Sequence, residues 1–296
     1  MCKFFKKEIQ SMNVGFIGLG TLGRTIAKRL ISEGVELNLW NRTRKKAHGL
    51  GMKVADSPAA LVSSVDTLFL NLFDSEAVKD VMTGEEGLLK GDCKGKIIID
   101  TTTNHFEPVK DFHINIKKAG GGYIEAPVLG SVVPASQGKL TVLVSGERES
   151  YGKVLPLLER IGRNIFFLEK PALATKMKLI NNLTLGSFMA TIAEALSFGE
   201  AAGIEKENIL DILAAGGGNS LVLNAKREKL LKEDFSTHFS TDCIYKDLHC
   251  LQDLANTLKK PLFSATVVKE LYGLARSRGM GKEDFSALYK VLKEQL

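Results

Sequence analysis

Asn13-Val14-Gly15-Phe16-Ile17-Gly18-Leu19-Gly20-Thr21-Leu22-Gly23 runs directly into Arg24-Thr25-Ile26-Ala27-Lys28-Arg29-Leu30-Ile31. A short apolar run enters the glycines and a helical period leaves them, so a strand precedes this loop and a helix follows it. Gly18, Gly20 and Gly23 fit G-x-G-x-x-G in the context that gives the pattern its meaning. Gly18 allows the tight turn, Gly20 lets backbone approach a pyrophosphate, and Gly23 lets the helix pack closely on the strand. Leu19, Thr21 and Leu22 complete the loop, where the helix N-terminus offers free N–H groups and a positive dipole end. The alternative is a glycine turn without a ligand.

Outward from this loop, the first half alternates apolar runs with amphipathic stretches. Residues 35–40, 67–72, 96–100, 122–128 and 140–146 read as strands. Helical patterns lie between them, among them 57–64 (Ser57 as cap, Pro58 at the first helical position), 75–82 and 147–161. A strand near 164–168 closes the region. Such alternation predicts an α/β fold with a doubly wound, mostly parallel sheet. From Pro171 to about Ala202 one helical pattern then runs for roughly 30 residues, about 45 Å. Everything after it is helical in period. The chain therefore divides into an extension (1–12), a Rossmann-type nucleotide-binding domain (13–169) and an all-α domain (170–296), joined by a long helix. Residues 1–12 lack the apolar stretch of a secretion signal. They read as a disordered extension, or as an upstream start with Met12 the natural beginning.

The 296 residues suffice for two domains, and 44% hydrophobic with 25% charged residues excludes wholesale disorder. Charged residues interrupt every apolar run short of a membrane span, so no membrane partner is expected. Forty basic against thirty-four acidic residues leave +6, with Arg42, Arg44, Lys45 and Lys46 clustered. No aromatics interleave that cluster, so a pocket for one small anion is a more economical reading than nucleic acid. Cys2, Cys93, Cys243 and Cys250 show no paired spacing and are expected to be reduced, in a cytoplasmic setting. The five histidines form no metal-binding pair, so no metal is expected.

The end of the second strand selects the dinucleotide. An NAD site places Asp or Glu about 20 residues after the fingerprint, to accept from the ribose 2′-OH. Here Asn41-Arg42-Thr43 stands there, with no acid between Glu36 and Asp56. Arg42 offers a planar donor fork to a 2′-phosphate and Thr43 a hydroxyl, while Arg44, Lys45 and Lys46 add positive field. NADP(H) is therefore expected over NAD(H); a solvated basic helix start is the alternative.

The whole pattern from residue 13 to about 290 resembles the β-hydroxyacid dehydrogenase family, which includes 3-hydroxyisobutyrate dehydrogenase and the glyoxylate/succinic semialdehyde reductases. Residues 15–30 resemble its N-terminal signature, with Leu22 where Met is usual, and Asn41-Arg42-Thr43 its NADP-using branch. Glu125-Ala126-Pro127-Val128-Leu129-Gly130-Ser131 resembles its substrate-binding segment, and Lys178-Leu179-Ile180-Asn181-Asn182 its catalytic Lys-x-x-Asn-Asn. Phe239 and Lys246-Asp247-Leu248 resemble its C-terminal motifs. The resemblance implies a small carbonyl or hydroxyacid substrate in the interdomain cleft, its carboxylate held by backbone N–H groups at Gly130 and Ser131. It implies that Lys246 reaches the cofactor or substrate and that Phe239 walls the pocket. It also places Leu72 and Thr103 along the cofactor.

The chemistry follows independently. Reducing a carbonyl requires a proton donor beside the developing alkoxide, and the reverse reaction requires a base. Lys178 serves both if burial or a nearby cation lowers its pKa from about 10.4 towards neutrality. Asn182, four residues on and on the same helical face, is placed to hydrogen-bond substrate. The alternative for Lys178 is an ammonium that snorkels to solvent.

Two departures from the family bear on this. Leu129 stands where members usually carry Ser, and Ser131 where a second Gly is common. Ala172 and Ala174 stand where glycines are frequent; alanine is strained there if φ is positive and favourable if helical. An NADPH-dependent reductase of a semialdehyde or glyoxylate is the leading expectation. A reductase of imines or hydrophobic carbonyls and a non-catalytic NADPH-binding module are the alternatives. The long apolar helix leads us to expect a homodimer or homotetramer.

Overall fold

Four-residue apolar strands buried on both faces need helices on both sides, and the sheet is built accordingly. The computed structural model describes residues 12–294, so the reading of residues 1–11 lies outside the described residues. Strand β1 (Val14–Ile17) leads through α1 (Thr21–Ser32) to β2 (Leu37–Trp40), a short 3-10 turn (Arg44–Ala47) and β3 (Lys53–Val54). Then follow α2 (Pro58–Ser63), β4 (Thr67–Leu70), α3 (Ser75–Thr83), β5 (Ile97–Asp100) and α4 (Pro108–Lys118). Strands β6 (Gly122–Glu125) and β7 (Val128–Leu129), α5 (Val132–Ser136), β8 (Leu140–Gly146), α6 (Arg148–Ile161) and β9 (Gly162–Phe167) complete the sheet region.

The strand order is β3-β2-β1-β4-β5-β6, all parallel; β8 then pairs antiparallel with β6 and β7, and β9 parallel with β8. Neighbouring residues of one strand feed opposite cores. Phe16, Phe69, Ile99 and Ile124 pack into one with Ile26, Leu30 and Leu157. Ile17, Leu68, Leu70 and Ile98 pack into the other with Leu61, Val78, Val109 and Phe112. The sheet is doubly wound, and the order reverses between β1 and β4, the crevice where such folds bind ligands.

Ser57 does cap α2, its hydroxyl accepting from the Ala60 N–H at 3.1 Å, with Pro58 behind it. The single strand expected over 122–128 is interrupted at Ala126-Pro127, because Pro127 has no N–H to give to the ladder. Register is nevertheless continuous: Glu125 faces Ser145, Val128 faces Val142, and the Pro127 carbonyl accepts from Leu143 N–H at 3.0 Å. The sequence reading left α4, α5 and the two-residue β3 unnamed.

The long helix α7 spans Leu173–Ala201. The chain separates into two compact units within it, after Lys178. The second unit holds the rest of α7, α8 (Lys206–Ala215), α9 (Leu221–Lys232), α10 (Thr241–Leu258), α11 (Ser264–Ser277) and α12 (Leu288–Lys293). Ser240 caps the start of α10, its hydroxyl accepting from the Cys243 N–H. In this unit Lys226 and Asp284 form a buried ion pair at 2.7 Å. Burial pulls the Lys226 ammonium below its usual range although Asp284 opposes the shift.

Candidate active site

The glycine loop is shaped by its own backbone. Gly18 has φ +97°, and a Cβ there would lie 2.1 Å from the Asn71 carbonyl oxygen. A Cβ on Gly23 would lie 2.0 Å from the Gly18 carbonyl oxygen. A Cβ on Gly20 would meet no atom within 4 Å. The first and third glycines thus satisfy the fold, whereas the second faces open space at the start of α1. That helix has no side-chain cap and no acid in its first turn, so its early N–H groups remain available to an anion. Gly23→Ala is expected to cost about 1–3 kcal/mol of stability, through the displaced loop, and to weaken NADPH binding roughly tenfold. Thermal melts and cofactor titration check both.

Asn41 holds the loop rather than reaching outward: its Oδ1 accepts the Leu19 N–H at 2.8 Å and its Nδ2 donates to the Thr43 carbonyl at 3.0 Å. Arg42 is exposed and Thr43 half-buried. Arg44 is engaged with Asp56 at 2.9 Å, so its charge is partly compensated. Arg24 of α1 ties the next turn down through the Lys46 and His48 carbonyls.

Beyond β4, the Leu72 N–H donates to Thr102 Oγ1 at 2.9 Å, and Asn71 Nδ2 donates to Thr101 Oγ1 at 2.8 Å. Thr103 is half-buried beside them in sequence, after β5. Beneath lies buried Asp100, which accepts from Thr102 N–H, Asn104 Nδ2 and the Tyr123 hydroxyl. Burial raises the Asp100 carboxyl and the Tyr123 hydroxyl above their ordinary ranges; on Asp100 those hydrogen bonds pull the other way.

The segment resembling a substrate site follows. Leu129 is half-buried in β7 opposite Thr141, Gly130 is exposed with φ +113°, and Ser131 is half-buried at the start of α5. A Cβ on Gly130 would lie 2.9 Å from Leu140 and Pro134 side-chain atoms, so glycine is required for the turn. Lys178 is buried, at 7% exposure, on the first part of α7. The two alanines before it divide: Ala172 adopts φ +67° and Ala174 lies within the helix.

Within the second unit, Asn182 is fully buried and donates from Nδ2 to Asp247 Oδ2 at 2.6 Å, while its Oδ1 accepts from Asn181. Asp247 Oδ1 lies 2.7 Å from Lys246 Nζ. Burial lowers the Lys246 ammonium, but the Asp247 charge and hydrogen bond outweigh it, so its pKa stands above the usual lysine value. Phe239 is half-buried against Phe285, and its N–H donates to Asp284 Oδ2 at 3.2 Å. Burial also pushes the half-buried Cys250 thiol up to about 11. Among the described residues, no group of three or more metal-ligating side chains gathers.

Sequence reasoning assigned no role to Asp247, Glu125 or Asp284. The signals were present: a buried helical asparagine requires a partner, and an acid in the apolar run 122–128 requires donors.

Family models fit this arrangement in order along the chain. The NAD binding domain of 6-phosphogluconate dehydrogenase matches residues 13–168, and the NAD-binding region of NADP-dependent 3-hydroxyisobutyrate dehydrogenase matches 173–292. Glyoxylate/succinic semialdehyde reductase 2, chloroplastic, of Arabidopsis thaliana is 32% identical over 291 residues, covering 97% of this chain and 81% of the relative. The chain belongs to the β-hydroxyacid dehydrogenase family. As a β-hydroxyacid dehydrogenase it falls in the NAD(P)-dependent hydroxyacid dehydrogenase class. A solved structure described as Psf3 in complex with NADP+ and 2-OPP superposes with TM-score 0.87 at 29% identity, over 94% of this chain and 99% of that one. The cofactor of this β-hydroxyacid dehydrogenase is NADP(H), which the open space at Gly20 and the uncapped start of α1 fit. The cytokine-like nuclear factor N-PAC of Mus musculus is 34% identical over 277 residues, which cover 94% of this chain. The chain spans about half the length of that relative, 50%. No helix among the described residues is long and apolar enough to cross a membrane.

Proposed function

We propose that this chain is an NADPH-dependent reductase interconverting a small carbonyl acid, of semialdehyde or glyoxylate type, with its hydroxyacid. The observation that carries this reading is Lys178, buried at 7% exposure near the start of the long helix, in the segment that resembles the family's Lys-x-x-Asn-Asn.

In this reading, bound NADPH supplies hydride to the carbonyl carbon. Gly18, Gly20, Gly23 and the α1 N-terminus hold the pyrophosphate, and Arg42 with Thr43 the 2′-phosphate. Lys178 Nζ gives its proton to the carbonyl oxygen as that oxygen gains charge, and recovers it in the reverse direction. The N–H groups at Gly130 and Ser131 receive the substrate carboxylate. Asn182 directs its amide according to Asp247. We take residues 13–169 as the cofactor domain and 170–296 as the substrate and oligomerisation domain of a cytoplasmic dimer or tetramer.

Half-buried Leu129, standing where the family usually has a hydroxyl, favours a second reading, reduction of imines or hydrophobic carbonyls. A hydrogen bond to a charged group is worth about 1.5–3 kcal/mol, so Leu129→Ser is expected to raise kcat/KM for glyoxylate about tenfold or more. Initial rates with NADPH on glyoxylate, succinic semialdehyde and a cyclic imine test the main reading. Turnover of the two acids is expected. Turnover of the imine alone selects the second reading, and NADPH binding with no turnover selects a non-catalytic module.

A further inference from the structure

We propose that Glu125 is a positioning residue for Lys178, a carboxylate clamp that sets the start of α7 against the segment carrying Leu129, Gly130 and Ser131. The proposal rests on the role given above to Lys178.

A helix leaves its first N–H groups without intrahelical partners, and here each has an identifiable acceptor. Leu173 N–H donates to the Lys170 carbonyl, and Lys176 N–H to the Ala172 carbonyl. Ala174 N–H donates to Ser145 Oγ at 2.9 Å, and Thr175 N–H to Glu125 Oε2 at 3.2 Å. Thr175 Oγ1 donates to the same oxygen at 2.6 Å. Ala172 N–H reaches Glu125 Oε1 at 2.6 Å, and His113 Nε2 lies 2.9 Å from that oxygen. Glu125 and Ser145 are direct cross-strand partners and both are buried, so two adjacent strands jointly cap the helix.

The carboxylate needs both oxygens for this. One receives Ala172 and the other Thr175, and the spread of donors from 172 to 175 defines both the rotation and the height of the first turn. Ala172 takes φ +67°, where alanine is disfavoured, and that backbone turns its N–H to the carboxylate. A negative group at this end also matches the helix dipole. Thr175 precedes Lys178 by three residues, on one face of the helix. Glu125 precedes Leu129 by four residues, at the end of β6, and β6 and β7 pair with β8 in one continuous register across the Ala126-Pro127 break. The carboxylate therefore joins the proposed proton donor to the proposed substrate segment through one short, buried linkage. An error of about 1 Å in such an arrangement costs on the order of 10²-fold in rate.

Glu125→Gln keeps the side-chain shape but offers one acceptor oxygen and an NH2 that meets a donor. Expected are a kcat for succinic semialdehyde lowered on the order of 10–10²-fold, an NADPH Kd within about twofold, and a lower Tm. Because Glu125 acts through Lys178, Glu125→Gln introduced into Lys178→Ala is expected to change the residual rate less than about twofold. Leu61→Ala, a core truncation in the same unit, controls for stability alone and should keep kcat. Wild-type kcat in Glu125→Gln, or an undiminished effect in the Lys178→Ala background, overturns the proposal. Should Glu125→Gln not fold, Thr175→Val, which removes only the hydroxyl donor, decides in the same two backgrounds: a kcat loss of about threefold or more that vanishes without Lys178 supports the clamp, and unchanged kcat overturns it. Lys178→Ala with wild-type rate instead refutes the proposed function itself and the clamp with it.

Discussion

Lys178→Ala is expected to lower turnover of glyoxylate and succinic semialdehyde by about 10³-fold while leaving NADPH affinity within about twofold. General acid–base groups contribute typically 10²–10⁴-fold, and alanine carries no proton donor at position 178. Affinity should persist because the groups proposed for the phosphates lie elsewhere, on the glycine loop and after β2. Single-turnover measurement of NADPH oxidation separates the two effects: the amplitude should survive and the rate should fall. A rate within tenfold of wild type would remove Lys178 from its proposed role. Loss of NADPH binding would mean that the lysine supports the cofactor rather than the proton.

Arg42→Asp is expected to lower the NADPH-to-NADH ratio of kcat/KM by on the order of 10²–10³-fold, enough to invert the preference. Two effects combine. The guanidinium fork that would grip a 2′-phosphate is lost, and a carboxylate takes the place where NAD sites accept from the ribose 2′-OH. Arg42 is the residue of the basic run to change, because Arg44 is already paired with Asp56. Asn41 is not an equivalent target: its amide clamps the loop, so its replacement would disturb the glycine turn itself. An unchanged ratio after Arg42→Asp would place selectivity on Thr43 or the lysines that follow.

The cofactor side was legible because its requirements are local. A strand, three glycines and a helix start lie within a dozen residues, and two of the glycines answer to a nearby backbone constraint: Gly18 to φ and the Asn71 carbonyl, Gly23 to the Gly18 carbonyl. The proposed catalytic side was legible only in part. Lys178 and Asn182 were found as a pair on one helical face, with Asn182 expected to contact substrate. In the fold both polar ends of that amide are engaged, by Asp247 and Asn181, so its orientation is set inside the second unit. The question left by Ala172 and Ala174 was likewise open in sequence, since alanine suits a helix and resists a positive φ. Ala172 takes the strained conformation and Ala174 the favourable one.

Periodicity and short motifs alone determined the alternation of strands and helices, the doubly wound sheet, the dinucleotide loop and the long helix that follows. These follow from backbone geometry over a few neighbouring residues. Tertiary structure decided which acid meets which amide: Glu125 reaches Ala172 across 47 positions and Asn182 reaches Asp247 across 65. A buried polar group announces in sequence that it needs a partner, but the partner is chosen by which strands and helices the folded chain brings together.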